Sequence, residues 1–160
     1  MQNIYFDHAA TTPVDPRVLE KMLPYFTDNF GNPNSQHAFG RRAVTAVDEA
    51  RDTVAKCIGA KPSEIYFTSG GTESDNWAMR GAAHALANRG KHLIISAVEH
   101  PAMLSAAKEL QREGFEVTLA PVDGYGTVDL AKLEEAIRPD TVFIGVMAAN
   151  NEVGTLQPVK

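Results

Sequence analysis

Residues 92–120 read HLIISAVEHPAMLSAAKELQREGFEVTLA, and this stretch decides the fold class. Its two ends, His92–Ser96 and Glu116–Ala120, are short apolar runs that are typical of buried strands. Pro101–Arg112 lies between them and has the length of a helix, with a proline at its first position. A strand, a helix and a strand in this order predict a parallel βαβ unit.

The same alternation continues outward from this unit, where further apolar runs predict strands and the segments between them predict helices. Asp15 and Asp129 are of a residue type preferred at helix N-caps, and Gly59 is typical of a helix end. We therefore predict an α/β fold with a mostly parallel sheet and flanking helices. The further strands are Glu64–Thr68 and Val142–Met147, and the further helices are one from about Pro16, Arg41–Ile58, Thr72–Ala87 and Leu130–Ile137.

The composition of the 160 residues is that of an ordinary globular domain, with 44% hydrophobic and 22% charged residues. A formal net charge of −5 argues against sequence-independent binding to nucleic acid, which requires a basic face. The sequence contains no apolar run of about 18 residues, so we expect no membrane span. Its first residues lack the basic and apolar parts of a signal peptide, and we expect a cytoplasmic protein.

The single cysteine, Cys57, excludes an internal disulfide framework. It lies at helical spacing from Val47, Ala50 and Val54, which predicts a buried side chain on one helix face. The histidines form no recognisable set of metal ligands, so we expect no metal site.

Thr68–Ser74, TSGGTES, lies between a predicted strand and a predicted helix. Its glycines allow a ligand close to the backbone, and the N–H groups and partial positive charge of a helix start suit a phosphate. Neither the P-loop nor the dinucleotide fingerprint fits, because no lysine follows Gly71 and Ser74 stands where a third glycine would be. The loop therefore favours a small phosphorylated cofactor. The alternative is a tight turn in which Thr72 only caps the helix.

Two further polar clusters follow predicted strands. His100 comes after the strand that starts at His92, and Asn150 and Asn151 come after the strand that ends at Met147. His100 could stack on a flat ring or transfer a proton, or it could only cap the next helix. The asparagines could bind a ligand oxygen or build a turn. Parallel sheets bind ligands at the carboxyl ends of their strands, so three polar strand ends favour one shared site.

Five motifs are spread over essentially the entire chain. They are Asp7–Pro13, Phe30–His37, Thr68–Asp75, Val98–Ala102 and Ala149–Gly154. Together they resemble the successive signatures of cysteine desulfurases, in that family's order and at its spacing. One such motif would be weak, but five in register are highly specific. The form Ser-Gly-x-Thr-Glu-Ser resembles the housekeeping and nitrogen-fixation group of the family.

The resemblance implies a fold-type I enzyme that uses pyridoxal 5′-phosphate to remove sulfur from L-cysteine, leaving L-alanine and an enzyme persulfide. It implies that Gly71 and Thr72 hold the cofactor phosphate. His100 would stack on the pyridine ring and move protons in catalysis. Asn151 would hydrogen-bond near the ring oxygen and the substrate carboxylate.

The resemblance also implies an organisation and partners. Residues 1–14 are expected to associate with a small domain, and residues 15–160 to form the N-terminal portion of the cofactor-binding large domain. The sheet is expected to be incomplete, with the strand Glu64–Thr68 not paired with the other three strands. The complete enzyme is expected to be a homodimer that passes sulfur to an iron–sulfur scaffold or another sulfur-acceptor protein.

The family's Schiff-base lysine, its aspartate for the pyridine nitrogen, its persulfide cysteine and a substrate-binding arginine are expected beyond Lys160. The seven lysines present are all interpreted as solvated. The chain alone is therefore expected to be inactive. The alternatives are another fold-type I enzyme, such as a selenocysteine lyase or an aminotransferase, and a non-catalytic fragment that only binds cofactor or a partner subunit.

Overall fold

The structure is a computed structural model that describes residues 4–159, and the chain divides into two compact units after Phe67. The Asp15 carboxylate accepts the N–H of Arg17 at 2.8 Å, which confirms the predicted cap, and Gly59 ends α3 with a φ of 69°. The His37 ring caps α3 by accepting the N–H of Gly40 at 3.3 Å, so α3 begins before its predicted start. The elements of the first unit are α1 (Pro16–Met22), α2 (Pro24–Thr27), α3 (Ala38–Ile58) and a short 3-10 helix (Pro62–Glu64).

The prediction that Cys57 is buried is wrong, because its side chain is exposed. Helix α3 does not bury the face that carries Cys57. It buries the face that carries Ala55, and Arg51 lies on that face one turn earlier. The Arg51 guanidinium donates to the carbonyl of Ile65 and stands over the ring of Phe67 at 5.1 Å. Residues 55 and 57 lie about 200° apart around a helix. The face of α3 that buries Ala55 therefore leaves Cys57 in solvent.

The predicted strand Glu64–Thr68 is not formed within residues 4–159, although the resemblance does imply that the other three strands are not paired with it. Its first residue ends the 3-10 helix, and residues 65–68 pair with no strand in the described part of the chain. The Glu64 carboxylate accepts the N–H of Lys61 at 2.7 Å and so stabilises the turn. An apolar run becomes a strand only where a neighbour takes its backbone groups, and here the Ile65 carbonyl is bonded to Arg51.

The second unit contains a parallel sheet of three strands in the order β2-β1-β3, with helices on both faces. Strands β1 and β2 have their predicted bounds. Strand β3 ends at Gly145 and not at Met147, because the Met147 N–H donates to the Glu99 carboxylate and not to a neighbouring strand. The elements are α4 (Gly71–Ala85), β1 (His92–Ser96), α5 (Pro101–Arg112), β2 (Glu116–Ala120), α6 (Leu130–Ala136) and β3 (Thr141–Gly145).

Strand β1 is the centre of this unit, and all five of its residues are buried. Alternate residues of a strand point to opposite faces. Leu93 and Ile95 accordingly pack in one cluster with Met79 of α4 and Leu110 of α5. Ile94 packs on the other face in a second cluster, which includes residues of α6. The sheet is therefore covered on both sides, as the apolar run of β1 predicts.

His92 starts β1 and is buried between the two outer strands. Its Nδ1 lies 2.7 Å from the Thr141 hydroxyl and its Nε2 lies 2.8 Å from the Thr118 hydroxyl. Burial lowers the pKa of His92, and the nearby charge of Arg138 acts in the same direction. Both effects favour the neutral ring, which has a hydroxyl partner on each nitrogen.

Candidate functional site

The carboxyl ends of β1 and β3 open into a cleft of about 670 Å³ within the second unit. Three turns form its walls, at residues 98–101, 122–126 and 150–155. His100 and Asn151 both line it, so the structure brings together two of the residues that the sequence singles out. Parallel α/β sheets bind ligands at this edge.

His100 is exposed and occupies the N-cap position of α5. Its Nδ1 accepts the N–H of Ala102 at 3.1 Å, which confirms the capping role. An accepting Nδ1 places the proton of the neutral ring on Nε2. The cap thus fixes both the ring and its tautomer, and the Nε2–H stays available in the cleft.

The sequence left open whether Asn150 and Asn151 build a turn or bind a ligand, and the structure gives the two residues different roles. The Asn150 side-chain oxygen accepts the N–H groups of Glu152 and Val153 at 2.9 and 3.0 Å, and its amide donates to the Val98 carbonyl at 3.1 Å. Asn150 therefore builds the turn. The Asn151 amide is exposed and has no hydrogen-bond partner within residues 4–159, so it is free for a ligand.

Sequence reasoning missed Glu99, which is only 8% exposed. Its Oε1 accepts the Ser96 hydroxyl at 2.8 Å and the Met147 N–H at 2.6 Å. The second bond joins the turn after β1 to the chain after β3. The only sequence signal was an acidic residue directly before His100, in a segment that also reads as an ordinary turn.

The third wall of the cleft, residues 122–126, was also missed. Asp123 Oδ1 accepts the N–H groups of Tyr125 and Thr127 at 2.8 and 2.9 Å, and these bonds hold the pKa of Asp123 below its usual range. The buried amide of Gln157 donates to the Gly126 carbonyl at 2.7 Å and accepts the Val128 N–H at 2.9 Å. The turn is therefore rigid, while the Tyr125 side chain is left 84% exposed.

Gly71 and Thr72 are not among the residues that line the cleft. They form the first turn of α4, with Gly70 at the N-cap and no side chain capping the helix. The interpretation of Thr72 as a simple cap is therefore wrong. Because α4 leads back to the start of β1, its first turn lies towards the carboxyl edge of the sheet, as the cleft does.

The first turn of α4 has free donors and free space. No hydrogen bond from the N–H of Gly71, Thr72 or Glu73 is formed within residues 4–159, and the Thr72 hydroxyl is equally unpaired. A Cβ added at Gly70 or Gly71 would meet no atom within 4 Å. Gly70 has a φ of 164°, which is extended backbone, so neither glycine is required by a left-handed turn. The open space favours a ligand against this backbone.

The one acidic side chain in this first turn is directed back to the loop. The Glu73 carboxylate accepts both the N–H and the hydroxyl of Ser69 at 2.7 Å. These bonds hold the pKa of Glu73 below its usual range. The carboxylate therefore stabilises the loop before α4.

The six lysines within residues 4–159 are all exposed, and none lines the cleft, in agreement with their interpretation as solvated. In the same part of the chain no group of three or more His, Cys, Asp or Glu side chains could hold a metal ion. No described helix combines the length and apolarity needed to cross a membrane.

Comparison with known proteins identifies the family and the fold. Residues 4–160 match the class-V aminotransferase family. The chain is 53% identical over 157 residues to the cysteine desulfurase IscS of Methanosarcina thermophila, covering 98% of this chain and 39% of that protein. It is 55% identical over 157 residues to IscS of Neisseria meningitidis, with the same coverage of 98% and 39%.

Solved structures agree with these relatives. A NifS-like protein superposes with a TM-score of 0.94 at 46% identity, covering 98% of this chain and 43% of that one. The protein described as SspA in complex with cysteine superposes with a TM-score of 0.90 at 43% identity, covering 96% and 44%. The chain therefore belongs to the class-V aminotransferase family, and the predicted α/β fold of fold type I is confirmed. It spans about 39% of the length of the first of these curated relatives.

Pyridoxal 5′-phosphate is the cofactor of this family, and the residues present fit it. The unpaired N–H groups and the Thr72 hydroxyl suit a phosphate at a helix start. The exposed His100 ring and the free Asn151 amide suit a flat polar ring in the cleft.

Proposed function

We propose that the full-length polypeptide, meaning a chain of the relatives' length that contains this sequence, is a cysteine desulfurase acting on L-cysteine. The observation that carries the proposal is the placement of His100 and Asn151 in one cleft, with the uncapped start of α4 towards the same sheet edge. The reaction transfers the sulfur of L-cysteine to an enzyme thiol, which gives L-alanine and a persulfide. The identity of 53% with a cysteine desulfurase supports this choice within the family.

Gly71 and Thr72 would hold the phosphate of the cofactor. Their N–H groups lie at the positive end of a helix of 15 residues, and the Thr72 hydroxyl adds one donor. When it is bound, pyridoxal 5′-phosphate supplies an electron sink for the bonds that change at the substrate. The residues of this chain supply binding, orientation and proton transfer.

His100 would cover the pyridine ring and move protons at its Nε2. The cap at Nδ1 keeps the ring in one orientation and keeps the transferable proton at the nitrogen that remains free. Asn151 would donate a hydrogen bond to an oxygen of the cofactor ring or of the substrate carboxylate. A neutral amide suits this role, because it binds an oxygen without adding charge.

The organisation of the complete enzyme is part of the proposal. Residues 1–14 would associate with a small domain, and residues 15–160 would belong to the cofactor-binding large domain. A homodimer and an iron–sulfur scaffold or other sulfur-acceptor protein are proposed as partners. Family resemblance supports these assignments.

The test is a substrate comparison with the full-length polypeptide, saturated with pyridoxal 5′-phosphate and supplied with a thiol reductant. We expect L-cysteine to give alanine and sulfide in equal amounts. Turnover of L-selenocysteine with none of L-cysteine would indicate a selenocysteine lyase. Amino transfer to a 2-oxo acid without sulfide release would indicate an aminotransferase. Turnover of none of these substrates would refute an enzymatic role.

A further inference from the structure

Two hydrogen bonds join the turn that carries His100 to the chain after β3. The Glu99 carboxylate accepts the Met147 N–H at 2.6 Å, and the Asn150 amide donates to the Val98 carbonyl at 3.1 Å. The side chain of the first bond, Glu99, directly precedes His100, and the side chain of the second, Asn150, directly precedes Asn151. These two crossing bonds set the position of one cleft wall against the other.

We infer that Glu99 is a positioning residue of this cleft, which holds His100 opposite Asn151 through its bond to Met147. The inference rests on the proposed function, since it assigns His100 and Asn151 the roles given above. Glu99 acts through its neighbours, because its only bonds within residues 4–159 are to Ser96 and Met147.

The geometry explains why this position holds a carboxylate. Oε1 takes two donors at once, a hydroxyl and a backbone N–H, and a charged acceptor gives shorter and stronger bonds than a neutral one. No buried side-chain oxygen in the described part of the chain lacks a partner. Since Oε2 makes no hydrogen bond there, it is not fully buried. One oxygen is thus fixed by two donors, and the other remains accessible.

The bond to Met147 also explains the end of β3. A Met147 N–H that points to Glu99 is withdrawn from the sheet, and the chain turns away after Gly145. The next residues lead into the Asn150 turn, which carries Asn151. Removing the carboxylate would therefore loosen the end of β3 and the segment before His100, which only the bond from Asn150 to Val98 would then join.

The test compares Glu99→Ala and Glu99→Gln in the full-length polypeptide. In cofactor-free protein we expect amide hydrogen exchange at Met147 to rise about 10- to 150-fold in Glu99→Ala, as for the loss of a hydrogen bond to a charged group. We expect the His100 ring resonances to broaden in the same variant. With cofactor bound, kcat should fall by about tenfold or more. Glu99→Gln keeps an accepting oxygen and should restore most of all three values.

Glu113→Ala is the matched control. Glu113 also links two elements, the end of α5 and helix α4. Its carboxylate accepts from Arg80 of α4 at 3.0 Å and lies 3.1 Å from the ring of His84 of α4. It follows the far end of α5, about 18 Å from the His100 end, and does not line the cleft. We expect Glu113→Ala to lower stability while leaving Met147 exchange and kcat within twofold of wild type.

An unchanged Met147 exchange rate in Glu99→Ala would overturn the inference. So would an equal loss of kcat in Glu99→Ala and Glu113→Ala, because that would show a general loss of stability. Absence of sulfide release from the wild-type protein would refute the proposed function separately. In that case the exchange rate and the His100 resonances of the cofactor-free protein still decide the role of Glu99.

Discussion

Replacing Thr72 with valine isolates the contribution of one hydroxyl to cofactor binding. The change keeps the β-branched shape and has a similar helix propensity. In the structure the hydroxyl has no hydrogen-bond partner within residues 4–159, and Gly70, not Thr72, occupies the cap position. The fold therefore loses no bond, and we expect the free energy of unfolding to change by less than about 0.5 kcal/mol.

Binding of pyridoxal 5′-phosphate should respond far more strongly. A hydrogen bond to a charged group contributes about 1.5–3 kcal/mol, which is roughly a 10- to 150-fold change in Kd. Thr72 is exposed in the described chain, so we expect the lower end, about tenfold. The assay is a titration of cofactor-free, full-length protein followed by absorbance or fluorescence. Pyridoxal without its phosphate should bind Thr72→Val and wild type equally.

Two controls accompany this titration. Thr72→Ser keeps the hydroxyl and should restore the affinity. Thr53→Val removes a hydroxyl that donates to the Glu49 carbonyl at 2.8 Å within α3, outside the site, and should leave the affinity unchanged. The reasoning is refuted if Thr72→Val binds pyridoxal 5′-phosphate within twofold of wild type. It is also refuted if pyridoxal loses affinity equally, because the contact would then not be to the phosphate.

Three further outcomes follow from the structure. His100→Asn keeps a side chain that can cap α5 but has no ring proton to transfer. We therefore expect kcat to fall about a hundredfold while the melting temperature stays unchanged. A near-normal kcat would leave His100 as a cap only. Asn150→Ala should lower the free energy of unfolding by about 1–3 kcal/mol in chemical unfolding. Asn151→Ala should weaken ligand binding alone. The reverse pattern would contradict the assignment of Asn150 to the turn and Asn151 to the ligand. Because the pKa of His92 lies below its unfolded value of about 6.5, the unfolded chain binds more protons than the folded chain. The free energy of unfolding should therefore fall as the pH drops below about 6.5, by at most about 1.4 kcal/mol per pH unit. A constant unfolding midpoint from about pH 7.5 to 5.5, with Thr118→Val as the comparison, would refute this.

Local sequence patterns correctly predicted those helices and strands that depend on residues close together in the sequence. The apolar run of β1, the proline that opens α5 and the caps at Asp15 and Asp129 all function in the structure as expected. The Glu64–Thr68 run failed because a strand depends on a neighbour, which a sequence segment does not specify. Cys57 failed for a related reason, since the buried face of α3 is set by the segment that packs on it.

The candidate site shows the same division. The sequence by itself determined that polar residues follow β1 and β3 and precede α4, and its motifs determined the family, because residue type and spacing are properties of the chain. Only the tertiary structure decided that Asn150 builds the turn while Asn151 stays free, and that Thr72 lies inside a helix capped by Gly70. It alone shows that the Glu99 carboxylate bonds to Met147, 48 residues away. The physical reason is that a hydrogen bond forms between groups that the fold brings within 3 Å, and adjacency in space is not encoded by any one stretch of sequence.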